Sequence, residues 1–396
     1  MRPHRVLISG ASIAGPALAW WLTRYGWSVT VVERFDGVRE GGQNIDVRGA
    51  AREVLRRMDL QETVRAAGTG ERGIAFVDDG GHRLAEFGAG TGDTDGATAE
   101  LEILRGDLAD LLVEHTRAGV EYVYGDQIAD LDDLGTHVRV GFAHGDEREF
   151  DVVVLAEGLS SHTRKLVLPG ARISELGMHI AYLTIPRTPA DDDWWRVYAA
   201  TGSRVLWLRP DNHGTLRAGL ALRSAVRGLE DLDRADQATV LRRTFAGAGW
   251  EIDRVLAVLD DTPFVLDTVG QMRLPSWSRG RVALIGDTAF CSSPVSGMST
   301  SLALVGAYVL AGELTRCHDH RDAFAAYERL MRPYVERAQS LPTSLFGFVY
   351  PRTRAGLRVQ RTAIRIAGSP AARRVGAVAL RGLGSPADEF ELPPPP

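Results

Sequence analysis

Residues 7–22 read LISGASIAGPALAWWL. The run is apolar and follows the basic stretch Met1-Arg2-Pro3-His4-Arg5, so the hydrophobic segment of a secretory leader is one reading. Against it, Gly10, Ser12, Gly15 and Pro16 interrupt the run, and no small-residue cleavage site precedes Arg24. The run is also short for a membrane span of about 20 apolar residues. Read as strand, turn and helix, each small residue has a task. Gly10 permits the tight turn, Ser12 lets a diphosphate approach the backbone, Ala14 opens the helix, and Gly15 lets helix and strand pack closely. This predicts a βαβ start, with a strand over 5–9, a helix over 14–25 and a second strand over 28–32 that ends at Glu33. A phosphate would sit on the helix N-terminus, where free N–H groups and the dipole favour an anion. Glu33 is placed to accept hydrogen bonds from an adenosine ribose, and Arg34 beside it is a further cofactor candidate. Taken alone, the glycine pattern also suits a tight turn in some other α/β protein.

The chain of 396 residues is 44% hydrophobic, which gives room for a sizeable core and about two or three domains. A net charge of −5 leaves no overall basic field to attract nucleic acid or an anionic membrane. Cys291 and Cys317 are the only cysteines, too few for a disulfide framework or a Cys-rich zinc site, and they fit a reducing cytoplasm. Helices are expected over 49–58 and 107–118, and a continuous buried strand over 150–156. From 176 to 268 the texture changes to alternating strands such as SRVLWLRP and LRAGLALRS, with a charged helix over 235–246. The strand RVALI at 281–285 returns to the first style, so the nucleotide domain is discontinuous. The expected fold is α/β: a discontinuous Rossmann-like domain (1–75, 100–170 and 276–335), an inserted α+β substrate domain (76–99 and 171–275), and a C-terminal helical region with its tail (336–396). The tail ELPPPP reads as disordered, and GAGTGDTDG at 88–96 as a surface loop without a flanking strand or helix.

The stretch GRVALIGDTAFCSSPVSGMSTSLALVGAYVLAGEL, 280–314, adds a strand ending at Gly286-Asp287. A loop with Pro294, Gly297 and Met298 follows, and then a helix that is apolar nearly all round from Ser299. Here the chain resembles the single-component FAD-dependent aromatic monooxygenases related to para-hydroxybenzoate hydroxylase, in style nearest the tetracycline-modifying and antibiotic-biosynthesis hydroxylases. The resemblance implies that Asp287 binds the ribityl chain of FAD and that the helix N-terminus after Gly297 faces the flavin pyrimidine edge. It also implies that Arg105, in LRGDLADLL, reaches the FAD ribose and diphosphate. Glu157, Gly158 and Arg164, in VVVLAEGLSSHTR, would lie near flavin and pyridine nucleotide. Many relatives have His where this chain has Phe290, and Asn where it has Thr300. Gln43, Asp46 and Arg48, in GGQNIDVRG at 41–49, lie where relatives wrap the flavin. They contact the ring, the substrate or NAD(P)H, or else belong to a solvated loop. Arg48 is the preferred catalytic candidate, as a cation that attracts an anionic substrate or cofactor phosphate.

Trp194, Trp195, Tyr198 and Trp207 fall in the insert, where they hold an aromatic substrate or simply pack a core. His179 is a pocket acid or base, or a satisfied structural residue, and Cys291 a small buried filler. The arginine-rich segment 352–368 reads as a solvated helix face. The activity implied by the resemblance is reduction of FAD by NADPH or NADH, then reaction with O2 to a flavin C4a-hydroperoxide. One oxygen atom then passes to an aromatic or polyketide-like small molecule. No metal is implied, and the oligomeric state is open. A flavin-dependent halogenase shares the fold but carries W-x-W-x-I-P and a catalytic lysine, whereas Lys165 is the only lysine here and the motif is absent. A flavin-holding protein without turnover is the remaining alternative.

Overall fold

The computed structural model describes residues 3–38, 42–89, 99–340, 344–369, 372 and 390–396. Its organising element is a six-stranded sheet in the order Ser278–Arg279, Val282–Leu284, Val152–Leu155, Arg5–Ser9, Ser28–Glu33, Val120–Tyr124, parallel except for the first pair. Val6, Leu7 and Ile8 are wholly buried, as are Val153, Val154 and Leu155. Strands covered on both faces must be apolar throughout, which is why they read as continuous hydrophobic runs. The helices Ala14–Arg24, Arg105–Thr116 and Ser299–Arg316 supply the cover, and Leu18, Leu108, Leu112 and Leu304 join the same core. The register levels the strand ends: Ser9 lies opposite both Val32 and Leu155, and Leu155 opposite Leu284. The residues that follow, Gly10, Glu33, Glu157 and Gly286-Asp287, therefore share one carboxyl edge of the sheet, where open α/β sheets place their ligands.

A second sheet of seven strands runs Phe264–Met272, Ile173–Pro186, Thr215–Arg223, Arg204–Pro210, Trp195–Ala200, Gly73–Val77, Arg83–Gly88. Its alternation separates two faces. Leu183, Tyr198, Leu206, Leu208, Leu216 and Leu220 pack with Leu241, Phe245, Ile252 and Val255 from the helices Arg234–Phe245 and Ile252–Ala257. Ile180, Tyr182, Val197, Val205, Trp207 and Ala221 take the opposite face, with Phe346 and Tyr350 from the C-terminal region. No described helix is long and apolar enough to cross a membrane.

Four expectations need correction. The run 150–156 is not one strand: Arg148–Phe150 pairs in a three-stranded antiparallel sheet, and Val152–Leu155 enters the parallel sheet. Asp151 makes the break by accepting the Arg5 N–H at 2.7 Å. Gly88 ends a strand, so GAGTGDTDG does have one before it, while residues 90–98 lie outside the described residues. The boundary expected at residue 75 cuts through Gly73–Val77, which pairs with Trp195–Ala200 and so belongs with the seven-stranded sheet. Residues 390–396 are docked: Phe390 packs at a tilt against Tyr334 with ring centroids 4.9 Å apart, and Tyr308 donates to the Pro393 carbonyl at 2.6 Å.

Candidate active site

At the first turn, sterics dictate the residue types. Gly10 has φ +112°, and a Cβ there would lie 2.4 Å from the Ala156 carbonyl oxygen. A Cβ on Gly15 would lie 1.9 Å from the oxygen of Gly10. Both positions therefore require glycine. Glu33 folds back onto this turn, accepting the Ala11 N–H at 2.8 Å and the Phe35 N–H at 3.2 Å. Arg105 opens its helix with its own N–H on the Gln43 carbonyl at 3.0 Å, and its Nη1 donates to Ser12 Oγ at 3.1 Å. Gly42, at φ +96°, lets that side chain pass, since a Cβ there would come 2.9 Å from Arg105 Nε. Arg34 is not brought in: it is exposed and lies over the Phe35 ring. The helices Ala14–Arg24, Arg105–Thr116 and Ser299–Arg316 all begin without a side-chain cap, and although the Arg105 N–H is taken by Gln43, the dipoles at these three starts favour an anion.

Gly286 turns the neighbouring strand at φ +61° so closely that a Cβ would sit 3.1 Å from Ala14 Cβ. Asp287 follows, half-buried, and burial raises its carboxyl above the usual range against hydrogen bonds from Ser299 and Cys291 and the charge of Arg105. Next come the turn Pro294–Ser296, Gly297 at φ +64°, and buried Met298 at the start of the long helix. Cys291 is buried and free of any disulfide. Phe290 lies in the core against Trp277, centroids 4.7 Å apart. Thr300 is buried as well. Glu157 is saturated by its own chain. Ser9 Oγ and Thr163 Oγ1 donate to one oxygen, each at 2.6 Å, while Ser161 Oγ at 2.6 Å and the Thr163 N–H at 3.3 Å reach the other. It fastens the loop 157–163 to the first strand rather than presenting a free carboxylate. Gly158, at φ +81°, donates its N–H to Thr288 Oγ1 at 2.8 Å, and buried Arg164 donates to the carbonyls of Thr288 and Leu159.

Residues 43–48 pass beside the long helix, where the Arg48 N–H donates to Ser301 Oγ at 3.2 Å. Arg48 Nη2 reaches Asp46 Oδ2 at 2.9 Å, so the cation expected to attract an anion is paired with a carboxylate. Gln43 Oε1, Asn44 Oδ1 and Asp46 Oδ1 are buried acceptors without a donor among the described residues. Buried acceptors are normally satisfied, so three within four residues mark a place for a donor-bearing ligand or water.

Strand parity sorts the aromatic candidates. Tyr198 turns to the helix side and donates to Asp79 at 2.6 Å, and Trp194 is buried near Arg72 and Arg83. His179 is on the helix side too; its Nε2 lies 2.9 Å from the Val226 carbonyl and its Nδ1 2.9 Å from Thr268 Oγ1. Both ring nitrogens are thus satisfied, and the pocket role is not supported. Trp195 and Trp207 share the other face. Trp207 lies directly over Gly219, where a Cβ would meet the indole at 2.1 Å, and Tyr182 stands edge-on to it at 6.2 Å. Gly219→Ala should therefore tilt Trp207 off the sheet. Its fluorescence should shift and small-aromatic binding weaken about tenfold, an effect of about 1.4 kcal/mol. Unchanged ligand titrations would show that this indole is no part of a binding surface. Sequence reasoning missed Tyr182, Arg209, Arg217 and Gly219, although the odd-position alternation through 205–209 and 217–221 carried the signal.

The FAD-binding-domain family model matches residues 4–340. Over 344 residues the chain is 42% identical to an uncharacterized protein of Mycobacterium tuberculosis, covering 85% of this chain and 92% of that one. A flavin-dependent monooxygenase from an unknown prokaryotic organism is 38% identical over 345 residues, 85% of this chain and 89% of its own. Among solved structures, the tetracycline destructase Tet(55) superposes with a TM-score of 0.80 at 32% identity, covering 99% of both chains.

Proposed function

Because the chain belongs to the FAD-binding-domain family and is a flavin-dependent monooxygenase, we propose that it uses NADPH or NADH and O2 to hydroxylate a flat aromatic or polyketide-like small molecule. The balance is substrate–H, O2, reduced nicotinamide and a proton giving substrate–OH, water and oxidised nicotinamide. FAD, when bound, would carry electrons from the reduced nicotinamide to O2, whose oxygen atom is the one delivered. This chain's residues bind, orient and keep water away.

The residues present fit FAD. Two required glycines, an uncapped helix and Arg105 on Ser12 make a diphosphate cradle. Glu33 is the ribose acceptor in this reading, and Asp287 the ribityl acceptor. The orphaned oxygens of Gln43 and Asp46 are ready for donors on the ring system. The uncapped N-terminus of Ser299–Arg316 offers a positive dipole end that would stabilise negative charge on a reduced ring bound beside it. Glu157 stabilises the loop that carries Gly158.

The observation that carries the substrate class is the face holding Tyr182, Trp207 and Trp195. Of the arginines on this face, Arg209 is paired with Glu71 and Glu102 and Arg217 with Asp211, while Arg223 lies 6.0 Å from the centre of the Phe346 ring. A flat aromatic surface whose central arginines are paired favours a ring system over a small anion. Reductant consumption and oxygen uptake that depend on added phenolic or polyketide ligands, with a hydroxylated product by mass spectrometry, test the proposal. Equal uptake with and without ligand, and no product, would overturn this substrate class.

Arg48 is proposed to meet the nicotinamide donor or substrate at the flavin. Arg48→Ala should keep FAD and slow anaerobic flavin reduction about tenfold, the equivalent of one hydrogen bond to a charged group. Lysine should recover part of the loss, because it keeps the charge without the fork. Stopped-flow reduction at the wild-type rate would return Arg48 to a purely structural pairing with Asp46.

A further inference from the structure

Three carboxylates and two guanidiniums meet where the strands Asn44–Asp46 and Glu102–Leu104 abut the seven-stranded sheet. Arg209 gives Nε to one oxygen of Glu71 at 2.8 Å and Nη2 to the other at 3.1 Å. The same Nη2 reaches Glu102 at 2.7 Å. The Glu71 side chain is 0% exposed and that of Glu102 6%. Thr69 donates to the second oxygen of Glu102. The Arg209 guanidinium also lies 4.2 Å from the centre of the Trp195 ring, on the substrate face. On the flavin side, the Asn44 amide donates to the Pro210 carbonyl at 2.9 Å, fixing the strand that carries Asp46 and leads to Arg48. The cluster thus joins the proposed flavin-contacting strand to the proposed substrate surface.

The charges do not cancel. Asp46, Glu71 and Glu102 face Arg48 and Arg209, leaving one negative charge in excess if all are ionised. The surrounding charged groups offer nothing to offset it: Arg217 is paired with Asp211, Glu100 with Arg52 and Arg65, and Asp107 with His213. An uncompensated buried charge is costly enough that a carboxyl retains its proton instead.

We propose that Glu71, Glu102 and Arg209 are positioning residues that hold one shared proton at neutral pH, and that this proton keeps the flavin-side strand and Trp195 in their working places. Burial pushes the Glu71 carboxyl up to about 8 against the pull of Arg209, with Glu102 and Asp46 adding to the rise. Glu102 is raised for the same leading reason, while Arg209 stays protonated. Between the ordinary carboxylate range and about 8, the folded chain binds a proton that the unfolded chain has released. Stability is therefore fully present at the acid end of that window and declines as pH rises through it.

The proposal rests on reading residues 43–48 as a flavin contact, and two measurements on the holoprotein keep the two apart. Infrared difference spectra between about pH 6 and about pH 10 should show a protonated-carboxyl C=O band that titrates away in wild type and is missing in Glu71→Gln. FAD titrations over the same range should show affinity falling several-fold on the alkaline side in wild type. Glu71→Gln should hold FAD at neutral pH as wild type does and lose that alkaline fall. Glu102→Gln serves the same purpose if Glu71→Gln does not fold. A wild type without the band, or an alkaline fall equally steep in both variants, overturns the shared-proton proposal. A band and a thermal midpoint that respond to pH while FAD affinity does not would keep the shared proton and remove its link to the flavin.

Discussion

Replacing Asp287 by alanine should give a folded protein whose affinity for FAD is about ten- to a hundredfold lower, since one hydrogen bond to a charged buried group contributes about 1.5 to 3 kcal/mol. The fold should survive because Gly286 and Thr288 keep contacts that shape this turn: Gly286 packs on Ala14, and Thr288 accepts from Gly158. Removing a carboxylate whose charged form is disfavoured by burial should if anything relieve the ligand-free chain. Asparagine should recover part of the affinity, since its amide oxygen can still accept. Fluorescence titration with FAD decides the matter, and equal affinities for Asp287→Ala and wild type would remove Asp287 from the cofactor site.

Glu157→Ala should do the reverse: a modest change in FAD affinity and a large loss of stability, about 3 to 4 kcal/mol, with a thermal midpoint several degrees lower. The carboxylate accepts from Ser9, Ser161 and twice from Thr163, so its removal unpairs the loop after the central strand and leaves a hydroxyl on buried Ser9 without a partner. Glutamine keeps the size and one good acceptor, and should fall between. If Glu157→Ala melts like wild type but no longer takes up FAD, the carboxylate contacts the cofactor and the loop needs no such fastening. Measured side by side, the two substitutions separate a residue that holds the cofactor from one that holds the shelf beside it.

The sequence was most legible where backbone geometry leaves little choice. Gly10 and Gly15 are glycines because a Cβ would collide with neighbouring carbonyls, and such collisions write themselves into a short motif. The parallel strands were legible because burial on both faces demands uninterrupted apolar residues. What sequence could not supply was partnership across long separations. Glu157 reads like a cofactor acid until Ser9, 148 positions away, is seen to donate to it. Arg209 and Glu71 stand 138 positions apart, and neither belongs to any local pattern. The pairing of Arg48 with Asp46 depends on rotamers and not on spacing, so it is not legible in sequence. Trp195 and Tyr198, close in sequence, have different fates only because strand parity sends them to opposite faces.

The docked end of the chain shows how a composition associated with disorder can be pinned. Each proline in ELPPPP has its φ fixed by the ring, so much of the conformational freedom that docking would remove was never available to it. Prolines also lack N–H groups and so offer only carbonyl acceptors. Tyr308 donates to Pro393 at 2.6 Å, Arg316 donates to Pro394, and the Arg57 guanidinium lies against the Tyr308 ring. Acceptor-only backbone thus meets a donor-rich surface on the helices that flank the nucleotide turn. A short stiff segment acts there as a bolt, fastening Pro393 and Pro394 to the helices Ala50–Arg57 and Ser299–Arg316 at little entropic cost.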